Sequence, residues 1–464
     1  MLLRNHYHLS TRRTVEVIIS HNFFTLITFI GFTYADVPIS RSSVCTFLPL
    51  GTHLIDHLCE FRIDQGVIDM TRGKTNPPSN GNGRSKSKNT LPPIPLHKNG
   101  KSKPVLITGG AGFVGSNLAH RLLSAGQRVR LLDNLSRAGV ERNLRWLIET
   151  HGDLVDIEVP DIRNLSIIKT AVRDASQVFH FAAQVAVTSS LVDPIEDFEI
   201  NARGTLNLLE AIRATENPPP LVFTSTNKVY GNLADLEFTK ERTRYVPLDD
   251  AIHKCGIDES RPLDFHSPYG CSKGAADQYV TDFARTYRIP ALVFRMSCIY
   301  GPHQYGNEDQ GWVAHFVIRS ISGKPITIYG DGMQVRDILF VDDLINAFLL
   351  AQQNMKRLAG GAYNIGGGPT NSISLLELLD LIAELHGGDV SVHFENWRAA
   401  DQRYYVANTS KFGGLTGWKP QVGVHEGVRR LYKWLRTGDD QTAAHPLHVA
   451  NTSTVNTIAA VAKF

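Results

Sequence analysis

Val105 to Leu123 reads VLITGGAGFVGSNLAHRLL, a short apolar run, a glycine-rich turn and then a helical pattern. Gly109, Gly112 and Gly115 fall at a GxxGxxG spacing between run and helix. Each glycine has a physical reason: the first permits the tight turn, the second lets backbone approach a pyrophosphate, and the third lets helix and strand pack closely. The helix amino end, beginning at Phe113 and Val114, then offers free N–H groups and the positive end of a dipole to an anion.

Outward from that turn, short apolar runs alternate with helical patterns, the texture of βαβ units around a parallel sheet. Residues 104–107, 128–132, 177–181 and 220–224 read as strands and 113–125 as a helix. The expected fold is α/β, a Rossmann-type doubly wound parallel sheet with a smaller C-terminal α/β substrate-binding domain. Right-handed crossovers place the carboxyl ends of such strands along one edge, so function is expected just after strands. Asp133 ends the second strand eighteen residues after Gly115. There a carboxylate accepts hydrogen bonds from the adenosine ribose and repels a 2′-phosphate, which favours NAD over NADP. Arg137, four residues on, weighs the other way.

The regular alternation fails from about Tyr300 to Asp337, where Gly, Pro and aromatic residues suit a substrate-binding section. Helical patterns return at 342–353, 374–386 and 425–437. The expected organisation is therefore an N-terminal extension of little order at 1–70, a basic Pro/Gly/Ser-rich linker at 71–103, an NAD-binding domain at 104–299, a mainly substrate-binding section at 300–437 with elements returning to the first sheet, and a disordered tail at 438–464.

Composition fits a soluble globular chain, with 42% apolar and 20% charged residues among 464. The net charge of +3 misleads, because residues 72–103 hold eight Lys or Arg and no acid, and without those eight it becomes −5. A nucleic-acid partner is not implied, since its footprint would be a basic face on the folded part. Five cysteines without CxxC spacing suit a reducing, cytoplasmic setting, with Cys271 and Cys298 expected as small packing residues. Val15 to Phe32 resembles a weak signal or anchor but is interrupted by Glu16, His21 and Asn22, so no membrane association is expected of the core. His303 and His315 have no second ligand at metal spacing, and no metal is expected.

Tyr269 and Lys273 form a YxxxK pair whose spacing brings both side chains to one helix face. A phenol with a free pKa of about 10 is a poor base until neighbouring positive charge stabilises its phenolate. Lys273 is the fixed charge. Thr226 closes the run Phe223–Thr226 and would present a hydroxyl at the active edge, where it can orient a substrate alcohol and stabilise the carbonyl formed from it, with Ser225 as the other candidate.

With GGAGFVG, Asp133, FAAQ at 181–184, NARGTLNLLEA at 201–211, STNKVYG at 225–231 and YGCSK at 269–273 in that order, the chain resembles the extended short-chain dehydrogenase/reductase family. The resemblance implies that Thr226, Tyr269 and Lys273 form the catalytic set. It also implies that Asn134 joins Asp133 at the cofactor, that Asp161 and Ile162 flank the adenine, that Ala182 and Ala183 lie beside the cofactor, and that Asn201 supports Lys273 through water. Pairing of subunits is implied through helices around Asn201 and Tyr269. The blocks DFHSPYGCSKGAADQY, DQGWVAHF, YGDGMQVRD, NIGGG and ADQR at 400–403 resemble the family's CDP-sugar 2-epimerases, which implies a CDP-linked nucleotide sugar as substrate. The family's 4,6-dehydratases carry an Asp-Glu pair after the catalytic Thr, where this chain has Asn227 and Lys228. Dehydration then lacks its acid and base, whereas oxidation and re-reduction lose nothing. Asn227 is expected at the substrate, and Arg336 and Arg403 at its diphosphate, because guanidinium forks match phosphate oxygens. A UDP-hexose 4-epimerase using the same three residues, and a silent NAD-binding scaffold, remain as alternatives.

Overall fold

The structure, a computed structural model, describes residues 3–9, 13–19, 102–398 and 401–441. The chain divides into two compact units, 1–85 and 86–464. In the first, the strands Leu3–Leu9 and Arg13–Ile19 pair antiparallel with Leu3 opposite Ile19. The rest of the 1–70 extension, nearly all of the expected 71–103 linker and the tail beyond Gln441 lie outside the described residues.

The second unit is built on seven strands: β1 Val105–Thr108, β2 Val129–Leu132, β3 Val155–Glu158, β4 Gln177–His180, β5 Leu221–Thr226, β6 Ala291–Met296 and β7 Ala362–Ile365. Their order is β7-β6-β5-β4-β1-β2-β3, and every pairing is parallel. Such a sheet must be covered on both faces, which is why β1, β4 and β5 are buried along their whole length. β1 shows the division of labour at period two. Val105 and Ile107 face Leu118 and Leu122 of α1 (Phe113–Leu123), Leu144 and Leu147 of α2 (Val140–His151) and Phe348 of the helix Val341–Gln353. Leu106 faces the opposite layer, made by Ile168 and Val172 of α3 (Leu165–Arg173), Leu208 and Ile212 of α4 (Gly204–Arg213) and Val280 and Phe283 of α5 (Ser267–Thr286). Each such side chain contributes about 1.5–3 kcal/mol of burial.

The elements after β6 build a second, smaller sheet. Cys298–Tyr300 pairs with Val335–Phe340, which is flanked by Ser372–Ser374 and Tyr404–Tyr405. The helices Trp312–Ile321, Leu375–His386 and Val424–Gln441 pack on this small sheet around Val317, Ile338, Ile382 and Leu431. Leu375–His386 starts at Ser374 with a capping box closed by Glu377. The helix Val341–Gln353 and β7 return to the main sheet. Among the described residues no helix is long and apolar enough to cross a membrane.

The order of strands reverses between β1 and β4, which opens a crevice over their carboxyl ends. Gly109 turns into it at φ +68°, and a Cβ there would stand 2.7 Å from Ala182 N. At Gly115 a Cβ would collide with the Gly109 carbonyl oxygen and stand 2.8 Å from Gly110 Cα, all backbone. Gly115→Ala is therefore expected to cost about 1–3 kcal/mol by overpacking, read as a lower urea midpoint at unchanged slope. An unshifted midpoint contradicts the packing.

Candidate active site

A cavity of about 810 Å³ occupies the crevice and runs from the glycine turn to the β5–α5 edge. Its first wall is the β1–α1 turn. Gly112 caps α1 without any side-chain hydrogen bond, so the first N–H groups of the helix face the cavity uncapped. Asp133 fixes the turn from the end of β2: Oδ2 accepts Ala111 N at 3.0 Å and Oδ1 accepts Leu135 N at 2.9 Å. Burial pushes its carboxyl up, and these N–H donors oppose that shift. Beside it, Asn134 Nδ2 reaches Asp161 Oδ2 at 3.3 Å. Asp161 is held down to about 2 chiefly by Arg163, whose Nη2 lies 2.7 Å from Oδ2.

The floor is the segment 181–184 after β4, and a histidine sets its position. Thr205 donates its hydroxyl proton to Asn201 O at 2.6 Å, so its contact with His180 Nε2 at 3.0 Å must be accepted from an Nε2–H. Nδ1 is then the acceptor of the Thr108 hydroxyl at 2.6 Å, and Thr108 Oγ1 in turn accepts Ala182 N–H at 3.3 Å. Burial, with Lys273 nearby, drives His180 down to about 3, so the ring stays neutral and the chain keeps one direction. Asn201 sits beneath the floor rather than on it. Its Oδ1 accepts Gln184 N at 2.9 Å, and its Nδ2 meets Gln184 O, Asp197 Oδ1 and Ser272 Oγ at 3.0–3.2 Å. Ser272 also donates to Asp197. The amide is thus spent on the floor and on the buried Asp197–Ser272 pair next to Lys273.

At the far end β5 and α5 bring Thr226, Tyr269 and Lys273 to one wall. Thr226 ends β5 and its hydroxyl oxygen accepts Lys228 N at 3.2 Å, starting the 3-10 turn Asn227–Tyr230. α5 begins at Ser267, held at φ +64°, and Tyr269 N is anchored by Ser190 Oγ at 3.2 Å. Burial pushes the Tyr269 phenol up to about 12, against the pull of its hydrogen bond with Thr226. Lys273 Nζ donates to Thr224 O at 2.7 Å and stands 4.3 Å over the Phe223 ring. Burial brings it down to about 7, opposed by the carboxylates of Asp277 and Asp197. The phenol is therefore neutral in the ligand-free cavity, and burial weakens the hold of Lys273 on its proton.

Every residue expected at cofactor or substrate lines this cavity except Asn201, Arg336 and Arg403. The two arginines lie off the cavity wall. The Arg336 guanidinium is consumed by Asp401 Oδ1 at 2.8 Å and by the carbonyls of Gln402 and Val335. Arg403 is exposed, with its guanidinium 5.7 Å from the centre of the Tyr245 ring. Cys271 is exposed rather than packed, and Cys298 is half-buried on the cavity wall. Residues given no binding role from sequence also line the cavity: Lys228, and the stretch around His303 to Val313 with Tyr305, Gln310 and Trp312. The stretch falls within the section from Tyr300 to Asp337 whose Gly, Pro and aromatic residues suit substrate binding, although no single residue in it stood out.

A sequence model of the NAD dependent epimerase/dehydratase family matches residues 105–366. The CDP-paratose 2-epimerase of Salmonella typhi is 43% identical over 339 residues, covering 71% of this chain and 98% of that one. Among solved structures, the UDP-glucose 4-epimerase of Thermus thermophilus in complex with NAD is 33% identical at a TM-score of 0.60, covering 72% of this chain and 99% of that one. The UDP-glucuronic acid 4-epimerase of Bacillus cereus, in complex with UDP-glucuronic acid and NAD, is 25% identical at 0.62 with the same coverage.

An ultraviolet difference titration of the ligand-free protein against Tyr269→Phe is expected to place the ionisation of this phenol near 12. A cation brought into the cavity moves it down. A Tyr269 phenolate already present at neutral pH without ligand contradicts the arrangement.

Proposed function

The chain belongs to the NAD dependent epimerase/dehydratase family, and on that premise we propose that it inverts C2 of CDP-paratose to give CDP-tyvelose. The observation that carries this reading is the convergence of Thr226, Tyr269 and Lys273 at one end of a cavity whose other end is a glycine turn and Asp133. The 43% identity to the CDP-paratose 2-epimerase favours the CDP-linked sugar. In this reading 104–299 holds the cofactor and 300–437 contributes the wall over the sugar.

The residues present fit NAD. The uncapped start of α1 suits a pyrophosphate, and the Gly109 turn admits no Cβ. Asp133, already fixed by two N–H groups, retains lone pairs for ribose hydroxyls. Asp161 and Ile162 would flank the adenine, and Ala182 and Ala183 would lie beside the cofactor on the floor. NAD, when bound, supplies the acceptor that takes up the hydrogen of the sugar carbon and returns it, together with a positive ring charge.

Tyr269 Oη takes the proton of the sugar hydroxyl, and the Lys273 ammonium together with that ring charge makes its phenolate accessible at neutral pH. Thr226 Oγ1 donates to the same sugar oxygen and holds it in reach. The keto sugar then turns over, so that hydrogen returned from bound NAD would reach the other face of its carbonyl carbon, and the proton goes back from Tyr269 to the oxygen; the centre is thereby inverted. Asn227 and Lys228 provide no acid/base pair for loss of water, so the cycle closes on an epimer. The solved UDP-sugar 4-epimerases keep inversion at C4 of a UDP-hexose as the second reading. The intact Tyr-Lys pair argues against a silent scaffold.

Leu191, Val192, Ile195 and Phe198 expose apolar surface on two short helices that pack on α5, Val192 being 87% and Ile195 75% exposed. Such a patch, with Tyr279 exposed on α5, supports a homo-oligomer paired through these helices. A cytoplasmic setting agrees with Cys255, Cys271 and Cys298 being free.

NMR of the purified protein with CDP-paratose and with UDP-glucose is expected to show isomer formation from the first. Conversion of UDP-glucose alone overturns the substrate. Tyr269→Phe is expected to abolish turnover while NAD stays bound, and retained activity removes the base. Light scattering of Val192→Asp/Ile195→Asp is expected to show a monomer where the parent chain is paired; an unchanged mass refutes this interface.

A further inference from the structure

Lys228 lies two residues beyond Thr226, in the turn Asn227–Tyr230, and lines the same cavity. An ammonium withdrawn from water is costly unless acceptors replace its hydration. The acceptors given to this one are poor. Gln402 Oε1 stands at 3.5 Å and Asp401 Oδ1 at 3.7 Å, at and beyond the reach of a hydrogen bond. The other lysine of the cavity, Lys273, has Thr224 O at 2.7 Å.

Asp401 is not a private counter-ion. The same Oδ1 accepts Arg336 Nη2 at 2.8 Å and Gln402 N at 3.0 Å. One carboxylate thus serves two cations, and the cluster carries one uncompensated positive charge. Exposure says which cation is left open: the Lys228 side chain keeps 22% and the Arg336 side chain 8%. Arg336 is the inner, satisfied member, and Lys228 is the loosely held one on the cavity wall. The cluster also joins two distant blocks, STNKVYG and ADQR, at the sugar end of the site.

The geometry points to Lys228 as a substrate-binding residue whose ammonium donates to an oxygen of the sugar beside the reacting carbon, with Asp401 and Arg336 as positioning residues that hold it there. This rests on reading the cavity as a nucleotide-sugar site. The donor adds positive charge next to Thr226, where the sugar oxygen gains negative charge as Tyr269 draws its proton. It also replaces a carboxylate of the dehydratase pattern with a group of opposite sign, which selects a retained oxygen over an eliminated one. The charged groups facing Lys228 are Asp401 and Arg336, with the Cys298 thiol also close; burial lowers the pKa of the lysine and Asp401 opposes that fall.

The experiment uses the full chain with NAD and whichever sugar the parent protein converts. Lys228→Met is expected to lower kcat/KM by about 10- to 100-fold, the range of one hydrogen bond to a charged group. Calorimetric affinity for CDP alone (UDP, where the converted sugar is UDP-linked) and the content of bound NAD are expected to stay as in the parent. A kcat/KM within about twofold of the parent overturns the assignment, as does an equal loss in nucleotide affinity. The second arm needs no loss of the lysine. Asp401→Asn removes the carboxylate that keeps Lys228 charged, so the basic limb of the kcat/KM profile is expected to move to lower pH. In the Lys228→Arg background, which stays charged, the same change is expected to leave the limb in place. A limb that does not move, or that moves equally in both backgrounds, refutes the role by itself. Conversion of UDP-glucose instead of CDP-paratose overturns the substrate proposal and leaves this comparison intact on that sugar. A parent protein that converts neither overturns both.

Discussion

The close approach of α1 to the turn before it is the constraint on which the rest of the site depends. With no Cβ at Gly115, the helix start settles against the Gly109 carbonyl, and the first N–H groups of α1 end up at the mouth of the crevice between β1 and β4. Asp133 then bonds Ala111 N from the neighbouring strand, so the turn is clamped from both sides. The floor is tied to the same strand by Thr108 and His180, and through Thr205 to the Asn201 region. Four chain segments distant in sequence are therefore positioned by short polar links rather than by apolar packing alone. Neutrality of His180 makes those links directional, since a second ring proton would leave the Thr108 hydroxyl facing a donor.

Electrostatics divide the cavity into one end that is ready and one that waits. The glycine turn and Asp133 are ordered by backbone donors whatever the ligand. At the other end the phenol is neutral and the Lys273 ammonium is weakened by burial, because the nearby carboxylates are engaged elsewhere. Asp277 is bound by Arg295 at 2.9 and 3.0 Å, and Asp197 by Ser272 and Asn201. The Tyr269 phenol thus keeps its proton in the ligand-free cavity, and positive charge over the floor would lower its pKa. Such dependence is what a family that works through a bound dinucleotide requires of its tyrosine.

Much of this was legible where the chemistry demands particular residues at particular spacings. The glycine turn, Asp133 and the Tyr269–Lys273 pair are of that kind, and all line one cavity. Four of the seven strands were equally plain. β3 was not, because an edge strand reading VDIE is half-buried and lacks an apolar run. β7 reads AYNI, where Ala and Asn are poor strand formers and burial comes from its neighbours. β6, reading ALVFRM after Pro290, carried a clear strand signal that the change of texture near Tyr300 masked. The partner of Arg336 was not legible for a different reason. Whether a guanidinium meets a phosphate or a carboxylate depends on what the fold brings near, and here Asp401, sixty-five residues away, reaches it first. The acid Asp401 within the block ADQR was a usable hint that a carboxylate belongs to this cluster.

The charge at 227–228 shows why one fold runs two outcomes. Elimination of water needs a group that gives a proton to the departing hydroxyl and one that removes a proton from carbon, and a carboxylic acid with a carboxylate supplies both. Asn227 can do neither, and Lys228 alone does not supply both an acid and a base. In the proposed reading Thr226, Tyr269 and Lys273 serve the proton step. What differs is whether the intermediate meets groups that eject an oxygen or groups that only hold it, and Asn227 with Lys228 belong to the second kind. In that reading inversion further requires room for the sugar to turn, and the wall from His303 to Gly311 is loop rather than regular strand.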